Sequence, residues 1–250
     1  MTKEEELLKK RFTELADRSY SESRYTFTNF LNLNEQSLFY LTVKENKGIK
    51  YTISGGISDA ERVMVRFGDE AELGYEQQFP IAILSVSPLA VKYSEDLSHR
   101  DYLGALMNLG IEREMLGDII IGKNEAYIVC HETMAEFISE NLTRVRNTSV
   151  KCGKISDIPD EEKPSMAETL VQIPSNRVDA VIARVFNLSR SEAASGFKSG
   201  KVFINGRLCE NTSHELNEGD RVTLRGHGRF IFKEITGTSK KGKLNIKVLK

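Results

Sequence analysis

Between Asn176 and Arg225 the order of short-range signals leaves little choice of fold. Val178, Val181, Ile182, Val185 and Phe186 recur at helical spacing and make an apolar stripe. Ser189-Arg190-Ser191-Glu192 then has the form of a capping box, in which Ser189 caps a second helix and Glu192 reaches back to it. Ala193, Ala194 and Phe197 form the inner face of that helix and Gly200 ends it. Gly196, inside it, is expected to weaken it by about 1 kcal/mol. The strand Val202-Phe203-Ile204 runs into Asn205-Gly206, a strong type I′ hairpin signal. Glu218-Gly219-Asp220 turns into a further strand, Arg221 to Leu224. A last hairpin pairs Arg229 to Ile235 with Leu244 to Leu249 across Ser239-Lys240-Lys241-Gly242. Two helices packed on a small sheet are the expected result, with Phe203, Phe230 and Phe232 in the core.

Charge separates this module from the rest of the chain. The 250 residues carry 35 Lys and Arg against 36 Asp and Glu. From Gln172 to Lys250 there are 15 basic and 7 acidic residues, a net of +8, and the remainder sums to −9. A basic module joined to an acidic body implies that one end meets a polyanion. Arg177, Arg190, Lys198, Lys201 and Arg207 fall at helix ends and around the hairpin, and the N-terminus of the Ser189 helix adds free N–H groups. With Ser189 and Asn205, these are the candidate RNA-binding residues. Lys240, Lys241 and Lys243 form a basic hairpin tip and are weaker candidates. Contacts of this kind hold structured RNA by backbone and shape.

Upstream, three segments are expected. Residues 1–75 form an N-terminal α+β region. Leu8, Phe12, Leu15 and Ala16 define one helix; a second, capped by Asn34, runs through Leu38, Phe39, Leu41 and Val43. Strands at Tyr51-Thr52-Ile53 and Arg62 to Phe67 flank Ser54-Gly55-Gly56, read as a plain turn because no Lys-Ser/Thr follows to complete a phosphate loop. Residues 76–158 run strand, helix, strand, strand, helix, strand, the β-α-β-β-α-β order of a ferredoxin-like domain shared by many RNA-recognition modules. Such modules stack bases on aromatics of their central strands. Here Ala126 to Cys130 offers only Tyr127, and Ile81 to Val86 offers none. Arg144, Arg146 and Lys151 are possible phosphate contacts. Residues 159–171, acidic and containing Pro164, read as a linker to the 172–250 module.

Cys130, Cys152 and Cys209 are far apart, with no Cys-x-x-Cys pair, so neither a disulfide framework nor a zinc site is expected, and Cys130 reads as a buried thiol. No metal or cofactor is expected. The N-terminus is acidic rather than apolar, and no run approaches the roughly 18 apolar residues of a membrane span. The chain is therefore expected to be cytoplasmic, monomeric and α+β.

The C-terminal pattern resembles the small RNA-binding domain first described in ribosomal protein S-four. The resemblance rests on Arg177-Val178-Asp179, Ser189-Arg190, Gly200-Lys201-Val202-Phe203-Ile204-Asn205-Gly206 and Gly219-Asp220. It departs at Ala193-Ala194-Ser195-Gly196-Phe197, where that family usually has Ala-Arg-Gln-Leu-Ile after its Ser-Arg. Leu97 to Leu106, with Leu109-Gly110-Ile111 and Gly117-Asp118, resembles the YlmH family, and this likeness extends over essentially the whole chain. The family is linked to cell division and to rescue of stalled large ribosomal subunits. Its S-four-type domain resembles those of the RqcP and heat-shock-fifteen proteins. The resemblance implies large-subunit ribosomal RNA, and tRNA, as partners, with the acidic N-terminal half free to recruit a protein.

Catalysis is weighed against this. His99-Arg100-Asp101 has the look of a kinase catalytic loop, but Leu106 stands where that motif needs Asn, and no Asp-Phe-Gly follows. A tyrosyl-tRNA synthetase lacks its nucleotide-binding signature here. The serious rival is a pseudouridine synthase, many of which carry an S-four-type domain. Asp101 follows an Arg as their catalytic Asp does not, within Tyr102-Leu103-Gly104 rather than the surroundings they need, and reads instead as a helix-start or salt-bridge residue. No catalytic residue is expected.

Overall fold

The computed structural model describes residues 2–163, 166–239 and 241–250, apart from the side chain at position 93. The chain divides into two compact units, Met1–Pro164 and Ser165–Lys250. No helix among the described residues is long and apolar enough to cross a membrane.

The first unit opens with α1 (Lys3–Ser21), started by a capping box: Glu5 N–H donates to Thr2 Oγ1 and Thr2 N–H to the Glu5 carboxylate. Strand β1 (Thr26–Phe27), helix α2 (Leu33–Glu45), strands β2 (Tyr51–Ser54) and β3 (Met64–Phe67) and the short α3 (Glu70–Leu73) follow. Helix α2 starts two residues earlier than expected. Asn32, not Asn34, is the cap: its Oδ1 accepts from Asn34 N and Glu35 N, and Glu35 returns the bond. The strands pair in the order β1-β3-β2. Phe12, Leu15, Phe39 and Phe67 fill the space between helices and sheet, with Phe39 edge-on to Phe12, Tyr51 and Phe67.

The ferredoxin-like part follows as β4 (Ile81–Pro88), α4 (His99–Asn108), β5 (Leu116–Ile121), β6 (Ala126–His131), α5 (Glu132–Asn141), β7 (Arg144–Val145) and β8 (Thr148–Ile155). The sheet order is β5-β6-β4-β8-β7, all antiparallel. Ala82, Leu84 and Val86 alternate onto the helix side, where they meet Tyr102, Leu106, Ala135 and Ile138.

The opposite face of this sheet is where an RNA-recognition module would stack bases. It is covered. Phe30 and Met64 from the N-terminal region join Ile83, Ile120, Tyr127, Val129 and Ile158 in one buried cluster. Strand β6 is thus apolar from Ala126 to Cys130 because both its faces are buried there. Gly56, at φ +79°, lies so close that a Cβ there would stand 2.6 Å from Ile81 Cγ2, and a Cβ on Gly117 would stand 2.9 Å from Phe30 Cε1. Polar groups seal the junction. The Asp118 carboxylate accepts from Glu61 N (2.7 Å) and Arg62 N (3.1 Å). The buried Arg62 guanidinium donates to the carbonyls of Leu116 (2.9 Å), Phe30 (2.8 Å) and Arg113 (3.3 Å). Residues 1–75 therefore do not stand apart from the ferredoxin-like part; the two share a core. The Ser54-Gly55-Gly56 turn is a packing element, as the plain-turn reading has it.

The second unit comprises β9 (Glu168–Ile173), α6 (Val178–Val185), α7 (Arg190–Lys198), β10 (Val202–Ile204), β11 (Arg207–Leu208), β12 (Arg221–Leu224), β13 (Gly228–Thr238) and β14 (Leu244–Leu249). Its sheet runs β11-β10-β12-β13-β14-β9. Val178, Val181, Ile182, Val185, Ala193 and Phe197 pack onto Val202, Val222, Leu224, Phe230, Phe232 and Ile246. The expected linker is corrected at its C-terminal end. Residues 168–173 form a strand whose full length pairs with β14, from Glu168 opposite Leu249 to Ile173 opposite Leu244. That pairing joins the two ends of the unit and has no local signal. The N-terminal end of the expected linker includes Pro164 and Ser165, which lie outside the described residues. Gly196 has a packing role that its helix propensity does not announce. It is buried, and a Cβ there would stand 2.9 Å from Leu224 Cδ1, so its small size lets α7 approach the sheet.

Asp118→Ala removes the acceptor of two backbone N–H groups at the junction in the first unit. It is expected to lower that unit's stability by about 1–3 kcal/mol, read as a lower urea midpoint with an unchanged slope.

Candidate RNA interface

The basic surface of the second unit is built on α6 and the start of α7. Arg177 is the N-cap residue of α6, and its backbone bridges to Glu215. Its guanidinium grips Asp179 with two bonds, Nε to Oδ1 at 3.1 Å and Nη2 to Oδ2 at 2.8 Å. Asp179 also accepts from Ala180 N at 2.8 Å. The fork holds Arg177 in one orientation and offsets part of its charge. Arg177, Asp179, Ala180 and Arg190 line a small cavity of about 200 Å³. Ala180 and Arg190 also belong to an adjoining open groove of about 610 Å³, whose further cations are Arg184 and Lys243. Arg184, Arg190 and Lys243 are exposed, and neither Arg184 nor Arg190 has an ion-pair partner among the described residues.

The start of α7 is more engaged than expected. Ser189 Oγ accepts from Glu192 N (3.2 Å) and lies 2.9 Å from Ser191 Oγ, while Ser189 N donates to the Glu192 carboxylate at 2.7 Å. These bonds hold the Glu192 carboxyl below the usual carboxylate range. Ser189 thus shapes the helix start, and two of the amides expected to face a phosphate are spent in the box.

Asn205 is likewise committed inside the fold. Asn205 and Gly206 take φ of +52° and +76°, the paired positive values of a type I′ turn. Asn205 Nδ2 donates to Asp220 Oδ1 at 2.8 Å, and its Oδ1 accepts from Arg221 N at 2.9 Å. Asp220 Oδ2 accepts from Asn217 N at 2.7 Å. The Asn-Gly and Gly-Asp motifs are therefore two halves of one clasp. Both ends of the Asn205 amide have partners inside the fold.

Lys198 and Lys201 are exposed at the far end of α7 and the entry to β10, and Arg207 is exposed on β11 across the turn from Ile204. None lines the groove. Eight residues of helix separate Arg190 from Lys198, about 12 Å of rise. Sequence reading passed over Arg184, although Arg177, Ala180, Arg184 and Asn187 mark an outer stripe of α6 at helical spacing. Lys243 reaches the groove because β14 pairs with β9, the strand hidden in the expected linker. Lys240 lies outside the described residues. Phe203, Phe230 and Phe232 are buried, and Arg225 stacks over the Phe203 ring at 5.5 Å.

In the first unit Tyr127 is 1% exposed and its hydroxyl donates to Glu125, so it offers no stacking platform. Asp101 closes a capping box on α4, accepting from Ser98 N (2.9 Å) and Ser98 Oγ (2.7 Å), and faces Arg146 at 3.7 Å. These partners hold its carboxyl low, in keeping with a helix-start, salt-bridge residue. Cys130 is buried, and burial pushes its thiol up to about 12, where it is inert. His131 caps α5 by accepting from Thr133 N.

Two family profiles match the chain. Residues 75–158 match the family described as "Putative RNA-binding domain in YlmH", and residues 176–222 match the S4 domain. A Bacillus subtilis protein named ribosome-associated protein quality control protein P2 is 29% identical over 229 residues, covering 89% of this chain and 86% of that protein. The chain is thus similar to the YlmH family over its middle segment and to the S4 domain in its second unit. The solved structure of cell division protein YlmH from Streptococcus pneumoniae has the same fold, with a TM-score of 0.51 at 22% identity over 65% of this chain and 96% of that one. Small ribosomal subunit protein uS4 of Natranaerobius thermophilus is 33% identical over 73 residues, 29% of this chain and 35% of that protein. The S4 match includes α6, α7 and the Asn205–Asp220 clasp, but neither β9 nor Lys243.

Asn205→Ala opens the clasp and leaves Asp220 short of a donor. It is expected to lower the stability of the second unit by about 1–3 kcal/mol, while RNA affinity per folded molecule stays unchanged. Thermal melts beside RNA titrations check both halves; an affinity loss without a stability loss would return Asn205 to the interface.

Proposed function

We propose that this chain is a non-enzymatic, ribosome-associated RNA-binding protein of the bacterial cytoplasm. Its S4 domain binds structured ribosomal RNA on the large subunit, and tRNA seated there, during rescue of stalled ribosomes. The observation that carries the reading is the groove where Arg184, Arg190 and Lys243 converge beside the Asp179-held Arg177. Convergent exposed cations on rigid helices suit a phosphate backbone, whose neutralisation releases counterions. The B. subtilis relative, named for ribosome-associated quality control, supports the ribosome as the place of action. Lys198, Lys201 and Arg207 extend the basic surface beyond the groove as further contacts. The protein acts as a monomer, and its acidic α1 start, Glu4 to Glu6, offers a protein partner a surface. A link to cell division, which the family resemblance implies, has the name of the S. pneumoniae neighbour in its support.

Co-sedimentation with purified large subunits across a salt series tests this. Arg184→Ala and Arg190→Ala are each expected to weaken binding for any RNA sequence and to reduce the salt slope by about 1. Unchanged co-sedimentation in the double variant would remove the groove from the interface. The enzymatic rival, a pseudouridine synthase using Asp101, predicts new pseudouridine in RNA incubated with the wild type and none with Asp101→Ala. Because the isomerisation leaves the mass unchanged, pseudouridine is read by carbodiimide derivatisation, and no new derivatised site is expected in either.

A further inference from the structure

Part of the five-stranded sheet in the first unit escapes the N-terminal cover. The covered rows hold Val129, Ile83 and Ile155, and Ile120 and Tyr127. Further along β4 the same face carries Ser85 and Ser87, both half-buried, and the alternation continues to Leu89, which is 66% exposed. Register brings Gly153 opposite Ser85 and Lys151 opposite Ser87. Arg144 pairs with Ser149, which shares this face, and Leu89 N donates to Ser149 O at 2.9 Å. A Cβ on Gly153 would meet nothing within 4 Å, so the surface is open above the strands.

Charge is sorted across this surface. Arg144 and Lys151 are exposed diagonal neighbours on β7 and β8, about 7–8 Å apart at the backbone, and neither has an ion-pair partner among the described residues. The other cations nearby are spent: Arg146 faces Glu95 and Asp101, and Lys154, on the helix side of β8, pairs with Glu132. The β6 flank is acidic, with Glu125, Glu161 and Glu162 around Tyr127. A polyanion is therefore drawn to β8 and β7 and kept from β6.

We propose that this β4–β8–β7 surface binds the sugar–phosphate backbone of an RNA strand, with phosphates at Arg144 and Lys151 and the ribose against Leu89. The proposal rests on the reading of the chain as an RNA-binding protein, but on residues separate from the S4 groove. RNA is favoured over an acidic peptide because the segment matches a family described as RNA-binding. Without an exposed aromatic on these strands, the contact is to the backbone and blind to sequence.

The test uses the full chain and a fluorescein-labelled, mixed-sequence single-stranded RNA, with anisotropy read across a potassium chloride series. Arg144→Glu and Lys151→Glu are each expected to weaken binding several-fold and to lower the salt slope by about 0.7. Lys151→Gln, a milder change, should lower the slope by the same amount. Lys154→Glu makes the same charge change on the same strand but on the opposite face, and should leave the slope unaltered. The proposal is overturned if Lys151→Glu and Lys154→Glu act alike, if neither Arg144 nor Lys151 variants change the slope, or if the wild type fails to bind this RNA. Arg184→Ala/Arg190→Ala, run in parallel, separates the two readings. A loss confined to that variant sinks the sheet surface alone, a loss confined to the Arg144 and Lys151 variants supports it, and the S4 groove stands or falls by the co-sedimentation of its own variants with large subunits.

Discussion

The first unit depends on the burial of the second face of its ferredoxin-like sheet. A sheet with helices on one side must hide or solvate the other. Here Ile83, Ile120, Tyr127 and Val129 make that other side too apolar for water, and Phe30 and Met64 cover it. The cover brings carbonyls and amides into a dry junction, where each needs a partner. Asp118 and Arg62 supply them, the first as acceptor for two amides and the second as donor to three carbonyls. Apolar burial drives the closure and the polar pair fixes its geometry. One consequence is functional: the ground where an RNA-recognition module stacks bases is already occupied.

The second unit solves a different problem. Phosphate contacts need cations held in place, since a free lysine or arginine loses rotamer entropy on binding. The unit fixes them through short-range bonds. The Ser189–Glu192 box sets the start of α7 and so places Arg190; Asp179 clamps Arg177; the Asn205–Asp220 clasp locks the hairpin to β12. Several motif residues therefore act one step back from the RNA. Their acidic members also trim the charge of the groove, leaving Arg184, Arg190 and Lys243 as its uncompensated part.

The difference between these roles explains what sequence could reveal. Local signals were legible: the Ser189 box, the Asn205-Gly206 turn, the stripe from Val178 to Val185 and the β-α-β-β-α-β order all stand where spacing puts them. Each is written within a few residues. Three features are written across the chain instead. Strand β9 carries no turn or alternation that marks it, and becomes a strand only because β14, some seventy residues on, offers it an edge. Lys243 joins the groove through that same pairing. The cover over Tyr127 comes from Phe30 and Met64, and nothing near Tyr127 announces it. Gly196 shows the limit of propensity: a residue that weakens a helix in isolation is the one that lets α7 reach Leu224.

Two proposed phosphate-binding surfaces on one chain also change how affinity must be reasoned. Each rests on two or three exposed cations, and such contacts are individually weak at physiological salt because counterions compete for the same phosphates. Linked sites avoid that weakness when one RNA assembly presents backbone to both, since the second engagement is then intramolecular. A ribosomal subunit presents backbone in many directions, whereas a short oligonucleotide does not. Modest sites built this way discriminate by the shape of the assembly rather than by base sequence.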